Sequence, residues 1–246
     1  MKWIDTAAIT VGQRRLSGAD RLLTLLTPSH GRMRVVARSV CLPKGPLGSA
    51  LEPFGVSRVV LSPARGEGLY RVDSADRISN MVVLRADLRR LGGGGLVCAW
   101  ARALARREDA LPLYRLLHRS LVSLDRGPVP VATVVARFLW RLTVLSGVGP
   151  TLFCCVQCQT SGELTGFRRD PGGTVCADCR TSADWPLADT ALRALRIIAE
   201  GEPAALSALP EALSRPLVSL AQGYLRGHFG DYLPGRAGVE WPVRVS

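Results

Sequence analysis

Two C-x-x-C pairs, Cys155 with Cys158 and Cys176 with Cys179, are separated by the 17 residues from Gln159 to Val175. No other stretch constrains the fold as much, because each C-x-x-C turn offers two sulfurs to one edge of a tetrahedron and both turns must then converge on one cation. The spacing predicts a four-thiolate Zn²⁺ site, one per chain, with Cys155, Cys158, Cys176 and Cys179 as ligands. Cys154 also makes a C-x-x-x-C pair with Cys158 that could chelate. Matched knuckles favour Cys155, and a redox dithiol is the alternative use of the same residues. With all four ligands supplied by protein, no position is open to water or substrate, which is the structural kind of zinc.

The choice between metal ligands and disulfides turns on the compartment. The opening MKWIDTAAITVGQRR reaches Asp5 before any apolar h-region develops, so no secretory signal is expected. The longest uncharged run, Leu142 to Gly162, is broken by Gly147, Gly149, Pro150 and a polar stretch, so no membrane span is expected. In a reducing, cytoplasmic setting the cysteines read as metal ligands.

The formal charge of +12 asks for a polyanionic partner, most simply nucleic acid. Its distribution is uneven. Residues 1–80 hold 12 basic against 6 acidic side chains and residues 81–150 hold 11 against 4. Residues 151–182 balance at 3 against 3, and residues 183–246 hold 6 against 7. The attracting field therefore comes from the first 150 residues. Thirty of the 32 basic residues are Arg, which suits bidentate phosphate contacts and equally fits a coding bias.

From Thr6 to Asp73 five short β-like runs, 6–11, 21–27, 32–40, 54–61 and 69–73, alternate with Pro- and Gly-rich turns. This predicts an α+β multidomain chain opening with a five-stranded OB-fold β-barrel over 1–80. In the third run Arg32, Arg34 and Arg38 share one face and Met33, Val35 and Ala37 the other. Arg32, Arg34 and Arg38 are candidate phosphate contacts, with Arg14 and Arg15 in the first turn and Lys44 in PKGPLG at the rim. Few aromatics accompany them, so binding should be electrostatic and weakly sequence-selective.

Beyond residue 81 the apolar period becomes helical. The stripes Leu96–Leu104, Leu113–Leu124 and Val131–Leu145 place a helical domain over 81–150. The zinc module occupies 151–182, and the helical domain resumes over 183–246 with helices at 189–200 and 214–232. The glycines at 92–95 read as a break or flexible joint. Arg85, Arg89 and Arg90 add DNA-binding candidates, and Arg102, Arg106 and Arg107 complete a second basic patch that could dominate instead. The three histidines fall in different elements, and no Walker A lysine or deaminase zinc motif occurs. Neither Lys2 nor Lys44 stands in the K-x-D-G of a nick-sealing ligase. No catalytic residue is predicted. An RNA-binding zinc module is the competing class.

The segments GADRLLTLLTPSHGRMRVVARS (18–39) and PKGPLGSALEPF (43–54), with FLWRLTVLSGVGP (138–150) leading into the cysteines, resemble the RecO family of bacterial DNA repair proteins. The resemblance covers nearly the whole chain. It implies an OB-fold, a helical domain and a zinc-binding insertion. It also implies a recombination mediator without catalytic residues. Such a mediator binds single- and double-stranded DNA, anneals complementary strands, and works with RecR to load RecA on strands coated by single-strand-binding protein, whose acidic tail is a further partner. Some relatives lack the cysteines, so the resemblance does not tie zinc to that activity.

Overall fold

The computed structural model describes residues 3–16, 18–40, 47–66 and 68–230. These form two compact units, divided after Gly127. In the first unit β1 (Ile4–Arg15), β2 (Arg21–Thr27), β3 (Gly31–Ala37), β4 (Val56–Pro63) and β5 (Leu69–Ser79) close a barrel in the order β1-β2-β3-β5-β4. Every pairing is antiparallel except β3 with β5. The five-stranded barrel is the one predicted from period-two alternation: Ile4, Ala8, Leu23, Leu25, Met33, Val35, Val59, Leu61 and Val72 point inward and share one core.

Strand boundaries shift from the sequence reading, and β4 runs Val56–Pro63 instead of 54–61. Strand β1 runs on through Gln13, Arg14 and Arg15, which pair with Leu23, Leu22 and Arg21, so the two arginines end a strand instead of lying in a turn. Backbone pairing needs no apolar side chain, and polarity therefore hid the extension. Strand β3 stops at Ala37, placing Arg38 in the turn that follows, where Ser39 takes a positive φ of 53°. Strand β5 continues to Ser79.

Helices α1 (Val82–Ala86), α2 (Leu88–Leu104) and α3 (Ala110–Arg126) complete this unit, with α2 and α3 laid on the barrel strands. The glycines at 92–95, expected to break the helix, lie inside α2. Close packing explains the glycine at one of them: a Cβ on Gly94 would meet Leu84 Cδ2 at 3.1 Å and Phe54 Cε1 at 3.4 Å. The short α1 is held by buried Asp125, whose Oδ1 accepts from the Leu84 amide at 2.9 Å.

The second unit contains α4 (Val131–Leu145), β6 (Leu164–Arg168), β7 (Gly173–Cys176), β8 (Trp185–Pro186), α5 (Asp189–Glu200), α6 (Pro203–Ser207) and α7 (Glu211–Phe229). The helices over 81–150, read as one stretch of a helical domain, are thus divided between the units. Apolar stripes of α2 and α3 find the barrel, while that of α4 finds α5 and α7. Trp140 of α4, Phe167 of β6 and Tyr224 of α7 meet as an aromatic core, and Tyr224 Oη donates to Val148 O at 2.8 Å. Among the described residues no helix is long and apolar enough to cross a membrane.

Candidate metal centre and nucleic-acid interface

The cysteine site is built on the β6–β7 hairpin. Strand β7 ends on Cys176, which pairs with Leu164, and the turn after it closes with the Arg180 amide donating to Cys176 O at 3.0 Å. The first knuckle closes in kind, Gln159 N donating to Cys155 O at 2.9 Å with Gln159 at a positive φ of 64°. The result brings Cys155, Cys158, Cys176 and Cys179 together, all four sulfurs lying within 4.8 Å of one another. Cys158 and Cys176 Sγ are 3.7 Å apart. A tetrahedron with metal–sulfur bonds of about 2.3 Å has edges of about 3.8 Å, whereas a disulfide needs about 2.05 Å. The spacing is that of ligands. Cys154 is outside the group; its Sγ faces Gln159 Oε1 at 3.4 Å.

Charge chemistry also fits a cation. Desolvation pushes the Cys155 thiol up, but the amides of Cys158, Cys176 and Gln157 outweigh it and bring the thiol down to about 6. The neighbouring sulfurs push Cys179 the other way, to about 12. The Cys155 thiolate forms readily while Cys158 and Cys179, pushed up by neighbouring sulfurs, resist until positive charge balances them, so the donor set suits a thiophilic dication.

Arg168, which sequence reasoning missed, ties the two knuckles together. Its Nη1 donates to Gln157 Oε1 at 3.2 Å, its Nη2 to Cys179 O at 2.8 Å, and Nε and Nη2 grip Asp184 at 2.9 and 2.8 Å. The Asp184 side chain is only 4% exposed, and the Arg168 hydrogen bond leads the causes that hold its carboxyl down to about 2. An arginine in the hairpin between the C-x-x-C pairs was the available signal.

The predicted DNA-binding residues separate by environment. Arg14, Arg15, Arg32, Arg34, Arg38 and Arg89 are exposed, and Lys44 lies outside the described residues. Arg85 pairs with Glu52. Arg90 Nη1 donates to Leu124 O at 2.5 Å and Asp125 O at 3.1 Å, closing the end of α3. Arg32 Nη1 donates to Arg102 O at 3.0 Å, so one donor of the strand face is spent on the end of α2. Among the described residues no carboxylate pairs with Arg14, Arg34, Arg38 or Arg89. Cys98 belongs to neither site: burial in α2 pushes its thiol up to about 12.

A family model described as Recombination protein O N terminal matches residues 1–81, and one described as Recombination protein O C terminal matches residues 85–237. A protein of Streptomyces coelicolor named DNA repair protein RecO is 31% identical over 238 residues, spanning 89% of this chain and 92% of that protein.

Proposed function

The chain belongs to the RecO family of DNA repair proteins, and on that premise we propose that it is a non-catalytic recombination mediator. It binds single- and double-stranded DNA, anneals complementary strands, and acts in the cytoplasm with RecR to load RecA on strands coated by single-strand-binding protein. The observation that carries this reading is the set of exposed arginines on the barrel strands and the turn after β3 that, among the described residues, have no carboxylate partner: Arg14, Arg34 and Arg38. Arg15, Arg32, Lys44 and Arg89 supplement it, whereas Arg85 and Arg90 serve more as internal ties. Annealing requires no bond to be made or broken by protein. Guanidinium groups that neutralise phosphates lower the repulsion between two strands and hold them close.

Cys155, Cys158, Cys176 and Cys179 would hold Zn²⁺ as a structural ion. Bound there, it supplies four metal–thiolate bonds that fix the knuckles. Arg168 orients them through Gln157 and the Cys179 carbonyl.

The test is a salt titration of binding to dye-labelled oligo(dT) by fluorescence anisotropy. Engaging about 6–10 phosphates of a single strand should lower affinity on the order of 10²–10⁴-fold between 50 and 200 mM salt. The variant Arg14→Ala/Arg34→Ala/Arg38→Ala should flatten the logarithmic slope by about 2, at roughly 0.7 per phosphate of a single strand. A flat wild-type curve sinks the reading, and preference for matched RNA over DNA would move it to an RNA-binding class.

A further inference from the structure

Helix α2 adds an arginine to the barrel face. Gly12, Thr24 and Arg34 are Cα partners across β1, β2 and β3, so their Cβ directions share one side of the sheet, the side on which Arg34 is exposed. At Gly12 that direction is filled from outside. A Cβ built there would lie 2.6 Å from Arg102 Nη1 and 3.7 Å from Arg102 Cζ. The guanidinium of Arg102 thus occupies the place of the missing Gly12 side chain. Two contacts fix the end of α2 over this spot. Arg32 Nη1 donates to Arg102 O at 3.0 Å, and the β2–β3 turn touches the chain beyond the helix, a Cβ on Gly31 falling 3.0 Å from Arg106 O.

The rows nearest Gly12 across β1, β2 and β3 carry positive charge only. The next outward row is Arg14, Leu22 and Val36, and neither row holds a carboxylate. That row continues to Arg71 of β5, the partner of Val36, and Asp73 beside it is used by Arg71; of the other barrel acids, Asp5 is used by Arg58 and Glu52 by Arg85. Among the described residues Arg102 pairs with no carboxylate. Strands about 4.8 Å apart separate Gly12 from Arg34 by about 10 Å, and Arg14 lies about 7 Å further along β1. Resting on the DNA-binding reading above, we propose that Arg102 is a phosphate contact of the single-strand track with Arg34 and Arg14, and that Gly12 seats it. Arg32 then acts as a positioning residue, through its bond to the Arg102 carbonyl. The two basic patches legible in the sequence, one on β3 and one in the helices, merge on one surface through Arg102.

Gly12 makes the proposal testable without unfolding the barrel. The atom a new Cβ would meet is the far end of a flexible side chain, and β1 at Gly12 has no positive φ. Gly12→Ala therefore displaces the guanidinium while leaving backbone and charge in place. Arg102→Ala should weaken oligo(dT) binding roughly fourfold at 0.15 M salt and lower the salt slope by about 0.7, the increment for one phosphate. Gly12→Ala should give part of the same loss at unchanged near-ultraviolet circular dichroism. The double variant should bind as Arg102→Ala alone, and Arg102→Lys should keep the slope. Wild-type affinity and slope in both single variants, with Arg14→Ala/Arg34→Ala/Arg38→Ala still impaired, would overturn the proposal and leave DNA binding standing. So would weakened binding at an unchanged slope, which marks a structural role. A flat wild-type salt curve would instead remove the DNA-binding reading itself.

Discussion

Four consecutive glycines inside a helix should answer differently to one substitution. Gly92 and Gly95 of α2 face open space, and a Cβ on either would meet nothing within 4 Å. Gly in a helix interior costs about 0.5–1 kcal/mol relative to Ala, largely through the freedom of the unfolded chain. Gly92→Ala and Gly95→Ala should each stabilise by that amount, raising Tm by about 1–4 °C. Gly94→Ala gains the same helical term but drives a methyl to 3.1 Å from Leu84 Cδ2. Leu84 is fully buried, and its amide is bonded to Asp125, so α1 cannot slide away freely. Overpacking of this kind costs about 1–3 kcal/mol, which places Gly94→Ala about 1 kcal/mol or more below its neighbours. Thermal and urea denaturation followed by far-ultraviolet circular dichroism give the comparison. Destabilisation by Gly92→Ala or Gly95→Ala would refute the reasoning and return the run to a joint; equal stabilisation at all three sites would refute the close approach of Leu84.

Cys176→Ser should lower metal content and destabilise the second unit by roughly 3 kcal/mol or more, while oligo(dT) affinity holds. Lost binding with unchanged Tm and metal content would contradict a structural role. Arg168→Ala should weaken metal affinity about 10–100-fold in a chelator competition, because it frees both knuckles. A ¹³C titration should show the Asp184 carboxyl protonating near pH 2. Its folded value lies below the ordinary 3.8, so its contribution of about 2 kcal/mol is present above pH 3.8 and lost as pH falls through about 2. In Arg168→Ala the midpoint should return toward 3.8.

What was legible in the sequence is what local periodicity records. Alternation of Met33, Val35 and Ala37 against Arg32 and Arg34 gave β3 its two faces, and C-x-x-C spacing gave the four-cysteine group, because both are short-range patterns. The end of β1 was not legible: Gln13, Arg14 and Arg15 carry no apolar signal, and their pairing depends on β2. Nor was the helical state of 92–95. Local propensity favours a break there, and α2 prevails because its face is buried against the barrel and α3. Between Cys154 and Cys155 spacing alone left two choices, and the turn closed by Gln159 brings Cys155, not Cys154, into the four-sulfur group.

Arginine shows most clearly why charge is legible and role is not. One side chain carries five donors, and neutral carbonyls at element ends compete with phosphate for them. Arg90 closes α3 through Leu124 and Asp125, and Arg137 bonds Ile198 O and Gly201 O at the end of α5. Arg196 holds Leu152 O and Arg168 holds Cys179 O. Each of these partners is 11 or more residues away in the chain, beyond any window of local pattern. Such residues keep their charge, but their donors are committed and their positions fixed by the fold. The net charge of +12 therefore overstates the surface available to a polyanion. On the DNA-binding proposal the surface is better sought by asking which guanidinium groups lack a carboxylate among the described residues and share a face, a test that selects Arg14, Arg34 and Arg102 over Arg85 and Arg90.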